Sequence, residues 1–288
     1  MSTVFDYLGK SKSLKVGIIG GSGLHKLDFL VSTGTTIVET PYGEPSDSLT
    51  LGTIDGIEVV ILARHGRDQR FGPTTMNYRA NLWAMKSLGV NVILASNASG
   101  SLREEITPGS FVIPDSFIDW TQQRWKTFYD GEPGHPKGVC HAPCFPAYSE
   151  SLRKILHDCS EEIGVKSHDG TIICIEGPRF ASRAESMMFR QFGADVINMT
   201  ACPEVYLAKE LGILYAVVAP ITDYDCWRVN DTKFVSVEEV RQAMIMNAKN
   251  VEKLLRKAVQ KIKENKDNLL TEAEEAEEVA DSAVVRCT

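Results

Sequence analysis

No run of about 18 apolar residues occurs in this 288-residue chain, so no membrane-spanning helix is expected. Basic charge is also scarce. The 31 lysines and arginines are outnumbered by 38 acids, for a net charge of -7, whereas a nucleic-acid-binding face needs the opposite sign. The stretch from Met1 to Lys15 has no long apolar core, so no secretory signal is expected. Internal repeats and low-complexity linkers are missing. Cysteine is sparse and scattered: Cys140, Cys144, Cys159, Cys174, Cys202, Cys226 and Cys287. Their odd number and mostly apolar settings suit the reduced thiols of a cytosolic protein. Cys140-His141 and Cys144 hint at a metal, but no second Cys/His pair stands at ligand spacing, so no metal is expected. Two familiar motifs are absent from Gly20-Gly21-Ser22-Gly23. Lys26 stands where a dinucleotide fingerprint needs its last glycine, and Leu24 where a nucleophile elbow needs one.

What is present suits a large core, since hydrophobic residues make up 43% of the chain. Apolar strand-length runs at 14–19, 57–63, 90–96, 110–114, 171–175, 195–199 and 213–221 alternate with helical patterns. Several runs are apolar on both faces, as in buried strands of a parallel or mixed sheet. Helices are predicted over 77–88, over 182–192 behind a Ser182/Glu185 capping box, and over 203–211 from Pro203. The longest starts at Ser236, capped reciprocally with Glu239, and carries Val237, Val240, Met244, Ala248, Val251, Leu255, Ala258 and Ile262 on one stripe. One α/β domain is the simplest reading. Residues 120–148 and 222–235 are irregular and rich in aromatics, as functional loops are. The Glu-rich stretch 271–280 reads as a solvated acidic helix.

Small polar and basic groups gather where apolar runs end, and ligands bind at such strand ends in open α/β sheets. The glycine turn at 20–23 offers bare backbone N–H groups to an oxyanion. Arg64, at the end of 57–63, supplies a planar fork that matches phosphate, with His65 beside it. Asn97-Ala98-Ser99-Gly100 and Thr200 close two further strands. Phe180 follows the bend Glu176-Gly177-Pro178-Arg179. Asp223 and Asp225 follow 213–221 and suit the N6/N7 edge of an adenine, although a helix cap or a metal pair is also compatible with two such carboxylates.

These segments resemble the trimeric purine nucleoside phosphorylase family. The motifs that carry the likeness include Gly17-Ile18-Ile19-Gly20-Gly21-Ser22-Gly23-Leu24, Ala63-Arg64-His65-Gly66, Gly138-Val139-Cys140-His141, Glu176-Gly177-Pro178-Arg179-Phe180 and Thr222-Asp223-Tyr224-Asp225-Cys226-Trp227. The resemblance implies a distorted, barrel-like mixed β-sheet surrounded by helices over 14–265, with an N-terminal extension at 1–13, an acidic tail at 266–288, and assembly as a homotrimer. It implies phosphorolysis of 5'-methylthioadenosine, and also of adenosine, in the cytoplasm and nucleus. Inorganic phosphate is the co-substrate, and no cofactor is expected. Ser22, Arg64, His65, Asn97, Ala98 and Thr200 are implied around phosphate, and Met199 by the ribose. Phe180 is implied on the purine, with Asp223 and Asp225 at its edge. His141 is implied as a neighbouring subunit's contribution, and Val235, Val237 and Val240 as the apolar wall of the 5' pocket. Asp223 is expected to protonate N7, which requires burial to lift its pKa above the usual ~3.9. Ser22 and Asn97 stand where the methylthioadenosine enzymes usually carry threonine, and they resemble the 6-oxopurine branch. The alternative is therefore an enzyme acting mainly on adenosine or inosine. A catalytically silent nucleoside-binding subunit is the rival from another class.

Overall fold

The computed structural model describes residues 2–21, 27–228 and 236–285. Along the chain lie α1 (Val4–Leu8), β1 (Val16–Gly20), β2 (Val31–Thr36), β3 (Leu49–Ile54), β4 (Ile57–Ala63), α2 (Tyr78–Ser87) and β5 (Val92–Ser96). There follow β6 (Ser99–Ser101), β7 (Phe111–Val112), β8 (Ser116–Trp120), β9 (Val139–Cys140), α3 (Glu150–Glu162), β10 (Ser167–His168) and β11 (Thr171–Ile175). The last are α4 (Arg183–Gln191), β12 (Val196–Asn198), α5 (Glu204–Glu210), β13 (Leu214–Asp223), α6 (Val237–Glu264), α7 (Lys266–Ser282) and β14 (Val284–Val285).

The mixed sheet runs β2-β3-β4-β1-β5-β13-β6-β12-β11-β8. At its heart β4, β1, β5 and β13 are parallel, with Val16 beside both Val59 and Val92, and Leu214 beside Val92. Alternate residues face opposite helix layers, which is why these strands are apolar throughout. Ile19, Leu62, Ala95 and Val217 pack with Leu82 and Trp83 of α2 and Leu207 of α5. Ile18, Ile61, Leu94 and Val218 pack with Leu152 and Leu156 of α3 and Leu254 and Leu255 of α6. Beyond β13 the sheet turns: β6 pairs parallel with β13 but antiparallel with β12, and the register slips between Ile221 and Asp223. A slip of this kind bends a strand and re-aims its side chains.

The cap of α4 is reciprocal, as expected, whereas that of α6 shows one of the two expected bonds. Ser182 and Glu185 form a capping box on α4, and the Ser236 hydroxyl accepts from Glu239 N on α6. The acidic helix departs from expectation. Its stripe of Leu269, Ala273, Glu277 and Ala280 is buried. Glu277 is wholly buried, and its carboxylate accepts from Lys86 Nζ at 2.5 Å and from Ser11 N at 3.1 Å. Spacings of three and four put these residues on one face, so the helix is solvated on the other side only. Directly after it, β14 pairs antiparallel with β9, Val284 beside Cys140.

Glu210, 5% exposed, closes the last turn of α5 and accepts from Phe128 N at 2.8 Å, which ties down the aromatic loop. Burial pushes its carboxyl up to about 7. The native state therefore keeps a proton that the unfolded chain loses from about pH 4.5. Stability is expected to fall by about 3 kcal/mol as pH rises from 4.5 to 7, then level off. Urea denaturation at pH 5 and 8 measures this, and Glu210→Gln should flatten the difference; an equal slope in that variant would assign it elsewhere.

Candidate active site

The parallel strands end on one side of the sheet, and there a cavity of about 340 Å³ opens. Each strand delivers its next residues to the wall: Gly21 after β1, Arg64 and His65 after β4, Asn97 and Ala98 after β5, Met199 and Thr200 after β12. Asp223 and Asp225 arrive from β13, and Val240 and Met244 from the first half of α6.

One part of the cavity wall is a tightly bonded network around Arg64. Arg64 is 1% exposed, and its Nε and Nη2 donate to the two oxygens of Glu204 at 2.9 and 2.8 Å. Nη1 donates to Ser96 O at 2.7 Å, and Nη2 also reaches Asn97 Oδ1 at 3.4 Å. A guanidinium so deeply buried needs a counter-charge, so the fork faces Glu204 and not the open cavity. Desolvation works against its charge, but Glu204 more than offsets this and keeps it protonated. Among the described residues four of its five N–H groups are committed, which leaves one on Nη1. Asn97 continues the chain of bonds by donating to Thr200 Oγ1 at 2.6 Å. His65 donates from Nδ1 to Phe71 O at 2.9 Å, a geometry that fixes its tautomer and leaves Nε2 as an acceptor. Burial, helped by Arg64, pushes its pKa down, so the ring is neutral at pH 7.

The acidic end lies at the register slip. Asp223 Oδ1 accepts from Asp225 N at 2.7 Å, and Oδ2 accepts from Thr222 Oγ1 at 2.7 Å. Asp225 adopts a left-handed backbone (φ 48°), which brings its own carboxyl back beside the first. Its Oδ2 is buried without a hydrogen-bond partner of good geometry. Burial pushes the Asp225 carboxyl up and Asp223 adds to the shift, although the nearby Ser186 hydroxyl opposes it. Gly100 makes room for the pair: a Cβ there would lie 2.9 Å from Asp223 Oδ1. The rest of the wall is largely apolar, with Phe180, Ile197, Met199, Val240 and Met244 among its residues.

A family profile described as the phosphorylase superfamily matches residues 15–260. The chain belongs to the phosphorylase superfamily. It is 53% identical over 250 residues to the S-methyl-5'-thioadenosine phosphorylase of Drosophila melanogaster, covering 86% of each chain. Among solved structures it is similar to the methylthioadenosine phosphorylase of Schistosoma mansoni in complex with adenine (TM-score 0.89, 36% identity, 94% of this chain and 99% of that one). It is also similar to a serine-to-threonine variant of the adenosine/methylthioadenosine phosphorylase of that organism in complex with methylthioadenosine (TM-score 0.88, 36% identity, 94% and 98%).

Within this phosphorylase-superfamily chain, ten residues singled out from sequence share the one cavity: Arg64, His65, Asn97, Ala98, Phe180, Met199, Thr200, Asp223, Asp225 and Val240. Val237 does not join them. It is 73% exposed on the first turn of α6, one turn ahead of Val240. His141 is exposed just beyond β9 and away from this wall, its N–H donating to Ala283 O at 2.9 Å. Ser22 and Val235 lie outside the described residues. Among the described residues, no group of three or more His, Cys, Asp or Glu side chains is placed to hold a metal ion. Sequence reading missed Glu204, Gly100 as the space for Asp223, and Asn247, which anchors α6 by donating to Ile221 O at 3.2 Å. Glu204 carried one signal, an acid between Pro203 and the apolar run 205–208.

Proposed function

We propose that the protein cleaves 5'-methylthioadenosine with inorganic phosphate, giving adenine and 5-methylthioribose 1-phosphate, with adenosine as a second substrate. The observation that carries this reading is the cavity's lining: a charge-balanced guanidinium with hydroxyl and amide groups, two neighbouring carboxyls and a set of apolar side chains share one space. No protein nucleophile is needed. Phosphate attacks C1' as the C1'–N9 bond breaks, and the bonding pair leaves with adenine. The protein's part is positioning and charge. The remaining Arg64 N–H, Asn97, Thr200 and the backbone at Gly21 and Ala98 hold the anion, and Ser22 joins them. His65 Nε2 accepts the proton of a monoprotonated phosphate. Met199 lies along the ribose and Phe180 against the base. Asp223 gives a proton to N7 of the departing base, and burial, with Asp223 beside it, pushes the Asp225 carboxyl toward its acid form. No cofactor or metal takes part.

Release of adenine from methylthioadenosine only when phosphate is present is the direct test; release without phosphate, or none, overturns the reading. Val240, on the apolar wall, sets the 5' preference. Val240→His should raise kcat/KM for adenosine relative to methylthioadenosine by about tenfold, because it offers a 5'-hydroxyl a partner otherwise lost at ~1–3 kcal/mol. An unchanged ratio would remove Val240 from specificity. Adenosine use is supported by Ser22 and Asn97, and the Schistosoma mansoni relative with both activities in its name has been solved with a serine or an asparagine replaced by threonine. A homotrimer, with His141 of one subunit completing a neighbour's 5' pocket, is supported by exposed apolar groups on the same side loops, Val139 at 52% and Phe145 at 94%. A cytoplasmic and nuclear location accords with free thiols at all six described cysteines.

A further inference from the structure

Arg124 sits in the aromatic loop, outside the cavity wall, and the reaction described above does not use it. Its side chain is 1% exposed, yet only one carboxylate, Glu176, answers its charge, at 3.0 Å from Nε. The other donors turn inward to the backbone. Nη1 donates to Met199 O at 2.7 Å and to Cys202 O at 2.5 Å, and Nη2 to Glu176 O at 2.7 Å and Ile175 O at 3.3 Å. Tyr78 Oη lies 3.1 Å from Nη1, and the Tyr78 hydroxyl in turn donates to Pro73 O at 2.9 Å. Glu176 completes the knot by accepting from Gln122 N and Gln123 N at 2.6 and 2.9 Å.

The four carbonyls mark two places where chain leaves the sheet. Ile175 and Glu176 end β11, four to five residues before Phe180. Met199 and Cys202 follow β12 and bracket Thr200. We propose that Arg124 is a positioning residue for the phosphorolysis: one buried guanidinium ties together the exits of β11 and β12, and so fixes the Thr200 side of the cavity relative to the Phe180 side. Carbonyls at sheet exits have no ladder partner, and a planar fork with five donors can hold several at once where an ammonium cannot. The inference rests on the substrate reading above, because it assigns Thr200 to the anion and Phe180 to the base.

The test compares the parent chain with Arg124→Lys, which keeps the charge but not the fork. For the lysine variant kcat on methylthioadenosine should fall by about 10²-fold, the scale of an ångström misplacement. The rise in melting temperature that phosphate gives the parent should largely disappear. Arg124→Gly should regain at least ~10-fold of its lost activity in millimolar guanidinium, which restores the planar fork without its tether. A purely structural arginine predicts otherwise: a lower melting temperature, with kcat of the folded lysine variant and its phosphate shift both unchanged. That result overturns the proposal. Should both arginine variants fail to fold, Glu176→Gln decides, since its amide can keep an oxygen toward Gln122 N and Gln123 N while losing the charge that faces Arg124 Nε; a native-like melt with about tenfold lower kcat supports the proposal, and unchanged kcat refutes it. If the parent releases no adenine, the substrate reading fails, and the phosphate shift in parent against Arg124→Lys still settles the positioning role.

Discussion

Replacing Asp223 with asparagine should cut turnover of methylthioadenosine by ~10²–10⁴-fold, the range typical of a lost general acid. The amide keeps an oxygen able to accept from Asp225 N, now at 2.7 Å, so the backbone at the register slip should hold. It cannot pass a proton to N7. Adenine then leaves as an anion, and the barrier rises. The same change should improve inosine relative to adenosine, because an amide can donate to a 6-oxo group where the acid's unprotonated oxygen repels it. Rates for the three nucleosides at saturating phosphate measure both effects. Unaltered turnover of methylthioadenosine would remove Asp223 from the chemistry.

Replacing Glu204 with leucine should be the most damaging change to the fold near the site. It leaves the Arg64 guanidinium buried with no counter-charge and takes the acceptor from the Tyr215 hydroxyl, which donates to Glu204 Oε1 at 2.6 Å. Breaking such a pair costs ~3–5 kcal/mol, about 6–20 °C in melting temperature for a chain of this size. A bound anion would return part of that loss by facing the orphaned charge. The variant's melting temperature should therefore climb more steeply with phosphate than the parent's. A melting temperature within about 2 °C of the parent would mean that Arg64 is neutralised in another way.

The strands of the parallel core and the helices α2, α4, α5 and α6 were legible because burial on both faces or on one stripe leaves a strong periodic trace. The strand ends and their polar residues followed from that frame, which is why so many site residues could be named in advance. The omissions have separate causes. β2 (Val31–Thr36) is an exposed edge strand with four small polar residues, so it leaves no apolar alternation. β9 and β14 are two residues each and exist through a pairing across more than 140 positions, which no local pattern encodes. α3 is different: Ser149 at its cap and Leu152, Ile155, Leu156 and Cys159 at helical spacing were visible signals left unread. Arg124 and Glu204 escaped because what distinguishes them is the set of distant backbone and side-chain partners each collects on folding. The Arg64 fork shows the same limit: residue type suggested an anion outside the protein, and folding supplied one inside.

The 28-residue α6 does two jobs along one stripe. Leu255, Ala258 and Ile262 are sunk in the core, Val240, Met244 and Ala248 look onto the ligand space, and Val251 borders both. The two halves differ in what a mutation can afford to disturb. Cavity-facing side chains on the leading turns can be exchanged to retune the 5' group accepted, because the trailing turns carry most of the foundation and Ala243 and Asn247 the rest. Selectivity and foldedness are thus separable along a single rod, and a library confined to the leading turns should yield altered preferences without a matching toll of collapsed variants.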